Sequence, residues 1–198
     1  MHTPPINQHG LLLPLHLTSL GHDPNIIYLD CESTGLGPTA EPVEIGIYSD
    51  AGEILLDTLV RPVNHERWDE AQAIHHISPE MVRDAPTLAE LEPTLTQIIQ
   101  GKKLVIYNSA YDVKVVGDPC LTSFSIHCAM KAYAPLHGEW NERYQSYKWC
   151  KLTVAAEELG HVWEGDAHRA IHDCMATRTV WRHVLEHRWA QAQSQVSH

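Results

Sequence analysis

Cysteine pairs, long apolar runs and basic residues are all scarce in this sequence, and each shortage excludes a class of protein. The five cysteines are an odd number and form no CxxC pair, so we expect reduced thiols in a cytoplasmic protein rather than a disulfide framework. The apolar run at 11–15 is too short to span a bilayer and lacks the cationic start of a signal peptide, so we expect no membrane segment. Only 14 basic residues stand against 25 acidic ones, and the formal net charge of −11 argues against a protein that coats long duplex DNA with a basic surface.

The rest of the composition is that of an ordinary globular domain. Hydrophobic residues make up 43% and charged residues 20% of the 198 positions, and this length is enough to bury a sizeable core. Neither an internal repeat nor a linker divides the chain. We expect an N-terminal extension at 1–25, one domain at 26–190 and a C-terminal tail at 191–198. The sequence leaves open whether the leucines of the extension dock on the domain or on a partner, or whether the extension is a frayed tail.

The stretch 26–36 predicts a buried strand and a functional site at its end. An apolar run rich in β-branched and aromatic residues ends in two carboxylates, Asp30 and Glu32. Residues i and i+2 of a strand share a face, so both side chains point the same way. Two neighbouring carboxylates repel each other unless a positive charge lies between them, which indicates a divalent metal. Gly35 and Gly37 then allow a tight turn and the close approach of a ligand.

The order of the remaining elements predicts an α/β domain with one mixed sheet. Strands at 43–49 and 53–60 are joined by the hairpin signal Asp50-Ala51-Gly52 and form an antiparallel edge with the first strand. Further strands are predicted at 103–107 and 122–127, and a long loop at 135–150. Helices are predicted at 69–76, from Pro79, from a capping box of Thr87 and Glu90 towards Gln100 with a bend or interruption at Pro93, and at 110–116, 128–134, 152–159 and 169–190.

Two further acidic segments complete a constellation with the first. Asn108-Ser109-Ala110-Tyr111-Asp112 follows a predicted strand, and His168-Arg169-Ala170-Ile171-His172-Asp173 opens the last helix. With Asp30 and Glu32, these segments resemble the three motifs of the DEDDh, or DnaQ-like, 3′-to-5′ exonucleases, over residues 26 to about 186. The resemblance implies a ribonuclease-H-like α/β fold in which helices flank a mixed five-stranded sheet.

The match to this family includes a few departures. The segment 73–78 resembles the family's Ile-His-Gly-Ile-Thr stretch, with His76 in place of Gly. Tyr107 stands where an Ala-His or similar pair often precedes the Asn, and Tyr111 replaces the usual Phe. The stretch 113–123 is shorter than the family pattern. None of these departures removes a catalytic group.

The chemistry that the resemblance implies explains the choice of residue types. Two metals roughly 3.5 to 4 Å apart can activate a water and relieve the charge on the leaving oxygen of a phosphodiester. Mg²⁺ or Mn²⁺ prefers oxygen ligands. By resemblance, Asp30 ligates both metals, Glu32 and Asp173 hold the nucleophile-side ion, and Asp112 reaches the other.

His168 is the general base that the resemblance implies. An unperturbed histidine pKa of about 6.5 leaves the imidazole largely neutral and basic near pH 7. Five residues on a helix are about 140° of rotation, so His168 and Asp173 do not share a helical face. We therefore expect His168 on the loop that enters the last helix.

The resemblance also implies substrate contacts. The backbone of Thr34, Gly35 and Leu36 is expected to meet the terminal nucleotide, with the Leu36 side chain wedged between the last two bases, and His75 is expected near the terminal sugar or base. Stacking and wedging tolerate any base, so little base specificity is expected. The implied activity is release of nucleoside 5′-monophosphates from single-stranded 3′ ends of DNA or RNA. The sequence does not choose between these, nor between a lone enzyme, a homodimer and a polymerase or repair partner.

Several alternatives stay open from the sequence alone. His172 competes with His168 as the base, and both could join Cys174 in a zinc site that lacks a fourth ligand. A non-catalytic nucleic-acid-binding or polymerase-associated module could share the fold, although it has no need of four clustered acids. A phosphatase of the haloacid dehalogenase type is suggested by a strand with an acidic end, but that chemistry requires a second Asp where Glu32 stands.

A final pattern interleaves aromatic and cationic residues at 139–151, as in a groove for a single strand. The competing interpretation is a loop that packs its aromatic rings on the core. The residues are Trp140, Arg143, Tyr144, Tyr147, Lys148, Trp149 and Lys151.

Overall fold

The computed structural model describes residues 21–165 and 167–196, so most of the predicted N-terminal extension lies outside the described residues. None of the helices in this part of the chain is long and apolar enough to cross a membrane. In chain order, the elements are β1 (Ile26–Ser33), β2 (Pro42–Ser49), β3 (Ile54–Leu59), α1 (Asp69–His75), α2 (Pro79–Val82), α3 (Leu88–Ile99), β4 (Lys103–Ile106), α4 (Ser109–Val116), α5 (Asp118–Leu121), β5 (Ser125–Cys128), α6 (Ala129–His137), β6 (Trp140–Asn141), β7 (Ser146–Tyr147), α7 (Leu152–Glu158) and α8 (Ala170–Val196).

The main sheet has five strands in the order β3-β2-β1-β4-β5, which confirms the predicted mixed sheet. The β1–β2 and β2–β3 pairs are antiparallel, whereas β1–β4 and β4–β5 are parallel. The central position of β1 explains its near-continuous apolar run, because a central strand covered on both faces has no side exposed to water.

Helices cover both faces of this sheet and create two apolar layers. On one face, Tyr28 of β1 packs in a cluster with residues of α6, α7 and α8. On the other, Ile27 and Leu29 pack with Leu95 and Ile99 of α3 and with residues of α4 and α5. The alternation along β1 therefore decides which helix layer each of its side chains meets.

The structure excludes one of the two outcomes predicted at Pro93, an interruption of the third helix. The capping box between Thr87 and Glu90 is formed, but α3 runs without interruption through Pro93. A proline inside a helix removes one backbone hydrogen bond. Burial of Leu95 and Ile99, both 0% exposed, holds the helix against the sheet on the far side of that proline.

The predicted long loop at 135–150 is also wrong, because it contains ordered elements. The sixth helix continues to His137 and ends at Gly138, whose φ is +83°. A short hairpin of β6 and β7 follows, in which Trp140 pairs with Tyr147 and their rings meet edge to face at 5.1 Å. Strands of two residues are too short to show an alternating pattern in the sequence.

The last helix is longer than predicted and packs along the centre of the sheet. It continues to Val196, six residues past the expected end at 190. Its expected inner stripe is buried from Ala170 through Val184. The apolar stripe ends there, whereas helix-favouring Ala and Gln continue, so periodicity alone underestimates the length of the helix.

In the shortened stretch at 113–123, α4 and α5 are separated by Gly117 with φ +77°.

Candidate active site

The carboxyl ends of the central strands open onto a cavity of about 650 Å³. Because β1 and β4 are parallel, their carboxyl ends meet at the same edge of the sheet, where ligand sites of open α/β folds form. The five residues that the sequence predicted to be catalytic all line this cavity, although they come from three separate segments of the chain. They are Asp30, Glu32, Asp112, His168 and Asp173.

The first strand directs Asp30 and Glu32 towards α8. Both lie on the same face of β1 as Tyr28, which packs against the α8 layer. Burial is the main cause that raises the pKa of both carboxyls, and repulsion from neighbouring carboxylates adds to it. The pKa of Glu32 rises to about 8, and that of Asp30 rises well above its ordinary value.

The side chain of Asp112 is held to β1 by hydrogen bonds from Cys31. It lies in the first turn of α4 and is 4% exposed. Its Oδ1 atom accepts a hydrogen bond from the Cys31 N–H at 3.1 Å and from the Cys31 thiol at 3.3 Å. Burial raises the pKa of Asp112 to about 6, and these two hydrogen bonds oppose the rise. Since Cys31 lies between Asp30 and Glu32 in the strand, Asp112 is fixed beside both.

Asp173 and His168 come from α8 and the loop before it. Asp173 lies in the first turn of the helix, and burial raises its pKa to about 6. The electrostatic interaction with the His168 side chain and a hydrogen bond from the His168 backbone N–H lower that pKa. His168 itself has a left-handed φ of 65° and an exposed side chain. The expectation that His168 lies on the loop entering the helix is confirmed.

These donors suit a divalent cation. Ligand atoms of Glu32, His168 and Asp173 lie within 4.8 Å of one another, and within 21–165 and 167–196 no other group of His, Cys, Asp or Glu is so arranged. Asp30 and Asp112 line the same cavity beside this group. Carboxyls whose pKa values are raised by burial and mutual repulsion lose that repulsion when a cation binds between them. Their oxygen atoms are the donors that Mg²⁺ and Mn²⁺ prefer.

The alternative zinc site at His168, His172 and Cys174 is wrong. Cys174 is fully buried, and its thiol donates to the carbonyl of Gly46 on β2 at 3.3 Å. His172 is not among the residues that line the cavity. Its imidazole packs against Gly165 so closely that a Cβ added to this glycine would lie only 1.9 Å from the ring. The three side chains therefore do not converge on one point.

Sequence reasoning missed Glu44, which holds α8 in place. Glu44 lies on β2 directly opposite Glu32 and is 1% exposed. Its carboxylate accepts hydrogen bonds from Nε of Arg169 at 2.9 Å and from the N–H of Ala170 at 2.8 Å. Ala170 begins α8, so Glu44 satisfies an N–H that has no partner within the helix and places a negative charge at the positive end of the helix dipole.

Gly46 allows the start of α8 to approach the backbone of β2 closely. A Cβ at this position would lie 2.7 Å from the backbone carbon of Ala170, closer than atoms can pack. The start of α8 therefore rests directly on the β2 backbone. A sequence signal existed for both residues, since an acidic side chain and a glycine interrupt the otherwise apolar core of β2.

The predicted substrate residues after β1 differ in their surroundings. Leu36 is 88% exposed and lines the cavity. Thr34 and Gly35 are tied into the loop, because the Thr34 N–H donates to the Glu41 carbonyl at 2.9 Å and the Gly35 carbonyl accepts a hydrogen bond from the Tyr111 hydroxyl. A phenylalanine in place of Tyr111 could not donate this hydrogen bond, so the departure from the family pattern adds a support to the loop.

His75, for which a substrate contact was predicted, is buried against the end of β1. Its side chain is 3% exposed and lies outside the residues that line the cavity. Nδ1 accepts a hydrogen bond from the Ile77 N–H at 3.0 Å, so Nε2 carries the proton and donates to the Ser33 carbonyl at 3.2 Å. Burial lowers the pKa of His75 and keeps the ring neutral. His75 thus supports the carboxyl end of β1 through its hydrogen bond to the Ser33 carbonyl.

Comparison with known proteins agrees with this geometry. The model of the RNase_T exonuclease family matches residues 27–180. An uncharacterized exonuclease, CP81, of Escherichia phage 186 is 39% identical over 163 residues, which are 76% of this chain and 83% of the phage protein. The DNA polymerase III subunit epsilon of Rickettsia conorii is 34% identical over 93 residues, covering 44% of this chain and 40% of that subunit.

The fold is also similar to a solved exonuclease structure. Exonuclease X in complex with 5′ overhanging duplex DNA superposes with a TM-score of 0.64 at 23% identity, over 81% of this chain and 91% of the other. The match confirms the ribonuclease-H-like fold that the sequence predicted. Because the family model covers most of the chain, the protein belongs to the RNase_T exonucleases and is a nuclease of the DnaQ-like DEDDh type.

Proposed function

We propose that the protein is a metal-dependent 3′-to-5′ exonuclease that releases nucleoside 5′-monophosphates from single-stranded ends. The observation that carries this proposal is the meeting of four carboxylates and one exposed histidine in a single cavity at the carboxyl end of β1. A surface that only binds nucleic acid gains nothing from clustered buried acids, because they repel phosphates.

The carboxylates would hold two Mg²⁺ or Mn²⁺ ions. Asp30, Glu32, Asp112 and Asp173 would supply the oxygen ligands. When bound, such ions supply a more acidic water and neutralise charge on the leaving oxygen. The chain's own contribution is to fix these oxygens, which it does through β1, the Cys31 hydrogen bonds to Asp112, and the contact of Glu44 with the start of α8.

His168 would take the proton of the attacking water. Its imidazole belongs to the group formed with Glu32 and Asp173, yet it is exposed, so it can pass the proton on to solvent.

Leu36 and the loop around it would receive the terminal nucleotide. The exposed Leu36 side chain borders the cavity and offers an apolar surface to a base, and the loop is held by Thr34, Glu41 and Tyr111. An apolar contact recognises no base edge, so the proposal includes little base preference. The related proteins include a polymerase subunit, but the choice between a lone enzyme, a homodimer and a polymerase or repair partner belongs to experiment.

The test is a time course on 5′-labelled single-stranded DNA and RNA of one sequence, with Mg²⁺, with Mn²⁺ and with EDTA. The proposal is supported if the products form a ladder that shortens from the 3′ end, requires metal and is absent in Asp30→Ala. The relative rates on the two strands then show whether DNA or RNA is the better substrate. Binding without cleavage of either strand in any metal would instead identify a non-catalytic module of the same fold.

A further inference from the structure

The segment that follows α6 places an exposed tryptophan at the rim of the catalytic cavity. Trp149, Cys150 and Lys151 line this cavity together with the acidic residues. The Trp149 side chain is 61% exposed. A large aromatic ring that packed on the core would be covered, so core packing does not explain its position.

The backbone on both sides of Trp149 is fixed. The Tyr107 hydroxyl donates to the Cys150 carbonyl at 3.0 Å, which attaches the segment to the end of β4. On the other side, the Lys148 N–H donates to the Glu139 carbonyl at 2.8 Å and closes the β6–β7 hairpin. The ring is therefore presented by an anchored support, which lowers the entropy cost of binding a partner.

Positive charge gathers around this ring although the chain as a whole is acidic. Nζ of Lys131 lies 5.6 Å from the centre of the Trp149 ring, and Lys151 lines the cavity beside it. Residues 129–151 contain four of the 14 basic residues and only two of the 25 acidic ones. This segment therefore carries a net positive charge in a chain whose formal net charge is −11.

We propose that Trp149 stacks on a base of the substrate strand upstream of the scissile phosphate, with Lys131 and Lys151 beside the adjoining phosphates. This inference rests on the proposed exonuclease function. An aromatic ring beside cations is the arrangement that binds single strands, because the ring takes the base and the cations follow the backbone. The terminal nucleoside carries no phosphate beyond the scissile one, so cations beside the ring match the upstream side of the strand.

The first test compares two substrates that differ only in the upstream strand. One is a single-stranded dT12 oligonucleotide; the other is the 4-nitrophenyl ester of thymidine 5′-monophosphate, in which 4-nitrophenol replaces the upstream strand as leaving group. Trp149→Ala is expected to lower kcat/KM for dT12 by about 10-fold or more and to leave ester hydrolysis unchanged. Trp149→Phe is expected to retain most of the activity on dT12.

Trp189→Ala is the matched control. Trp189 is 54% exposed and lines a different cavity at the far end of α8, so its loss is expected to change neither substrate. Equal losses of Trp149→Ala on dT12 and on the ester, or no loss on dT12, would overturn the inference. If the wild-type protein hydrolysed neither substrate, the proposed function itself would fail.

Binding of labelled dT12 in EDTA separates these failures, because it needs no chemistry. A 10-fold rise in Kd for Trp149→Ala supports the stacking contact even in a protein that cleaves nothing, and an unchanged Kd removes it. The lysines are tested by salt: Lys131→Ala with Lys151→Ala is expected to reduce the slope of log Kd against log salt concentration by about 1.4. Lys114→Ala, an exposed lysine on α4 outside the cavity lining, is the control and is expected to keep the slope.

Discussion

His168 differs from the four carboxylates of the site in being exposed and in lying on a loop. If it is the base, His168→Ala is expected to lower kcat by about 10²- to 10⁴-fold, because proton transfer contributes an effect of that size. The carboxylates stay in place, so binding of Mn²⁺ measured by calorimetry is expected to persist. Both quantities are measured on the same preparation.

His172→Ala is the matched control for this substitution. It removes an imidazole from the same segment but from outside the cavity lining, and near-wild-type kcat is expected. A His168→Ala enzyme with unchanged kcat would contradict the assignment, and a loss of kcat in His172→Ala instead would make His172 the base.

The site residues that sequence predicts best are those in short segments. Asp30 and Glu32 share a face by strand alternation alone, and the loop position of His168 follows from helix geometry. His75 could not be placed in this way, because its burial and its hydrogen bond to the Ser33 carbonyl depend on how α1 packs behind β1. Glu44 likewise reveals its role only when α8 is packed on β2.

The contact between β2 and the start of α8 positions Asp173 on that helix and His168 on the loop before it. Gly46→Ala would insert a methyl group about 2.7 Å from the backbone of Ala170, and backbone cannot move aside as a flexible side chain can. We expect a loss of about 2 kcal/mol or more in the free energy of unfolding, in line with overpacked cores. A fall in kcat is expected as well, since α8 must shift from β1.

Urea unfolding and kcat at a temperature well below Tm provide the two measurements. Gly37→Ala is the control for stability, because a Cβ at Gly37 meets nothing within 4 Å. Equal stability of Gly46→Ala and wild type would show that α8 does not rest on β2 as closely as described.

The elements that the sequence predicted well are those with a clear local pattern of several residues. The five strands of the main sheet, the capping box of α3 and the inner stripe of α8 all follow from local patterns. The β6–β7 hairpin does not, because two-residue strands carry no period and depend on the Trp140–Tyr147 contact. The same limit explains why the sequence could not decide whether Trp149 lies on the core or at the cavity.

At the scale of the whole molecule, the metal-free site makes stability depend on pH. Glu32 has its pKa raised to about 8 and Asp30 has its pKa raised well above the ordinary value. The folded protein therefore retains protons that the unfolded chain has released, and the free energy of unfolding falls as pH rises through this range. Four histidines whose pKa values are lowered by burial have the opposite effect below about pH 6.5, namely His75, His127, His161 and His183.

The window from pH 6.5 to 8.5 lies above the range in which these histidines titrate. Near its upper end, buried thiols whose pKa values are also raised add to the fall in stability, and the Glu32→Gln variant separates their effect from that of the carboxylate. In EDTA, we expect Tm to fall by about 5 °C or more across this window, given roughly 2 to 4 °C per kcal/mol for a chain of this size. Glu32→Gln keeps the shape of the side chain and removes its charge, so its Tm is expected to fall less. Asp84→Asn, at an exposed carboxylate with no part in the site, is expected to follow wild type.

Added Mn²⁺ or Mg²⁺ should reverse this trend. Metal binding requires the deprotonated carboxylates, so the rise in Tm on adding Mn²⁺ is expected to be larger at pH 8.5 than at pH 6.5, and smaller in Glu32→Gln. A Tm in EDTA that stayed level or rose from pH 6.5 to 8.5 would contradict the raised pKa values. A metal effect of equal size at both pH values would mean that the cation binds without displacing protons from these carboxyls. Repulsion among the carboxylates in the cavity would then lower the free energy of unfolding only slightly. The loss of stability that we attribute to the metal-free site would have its cause in another part of the protein.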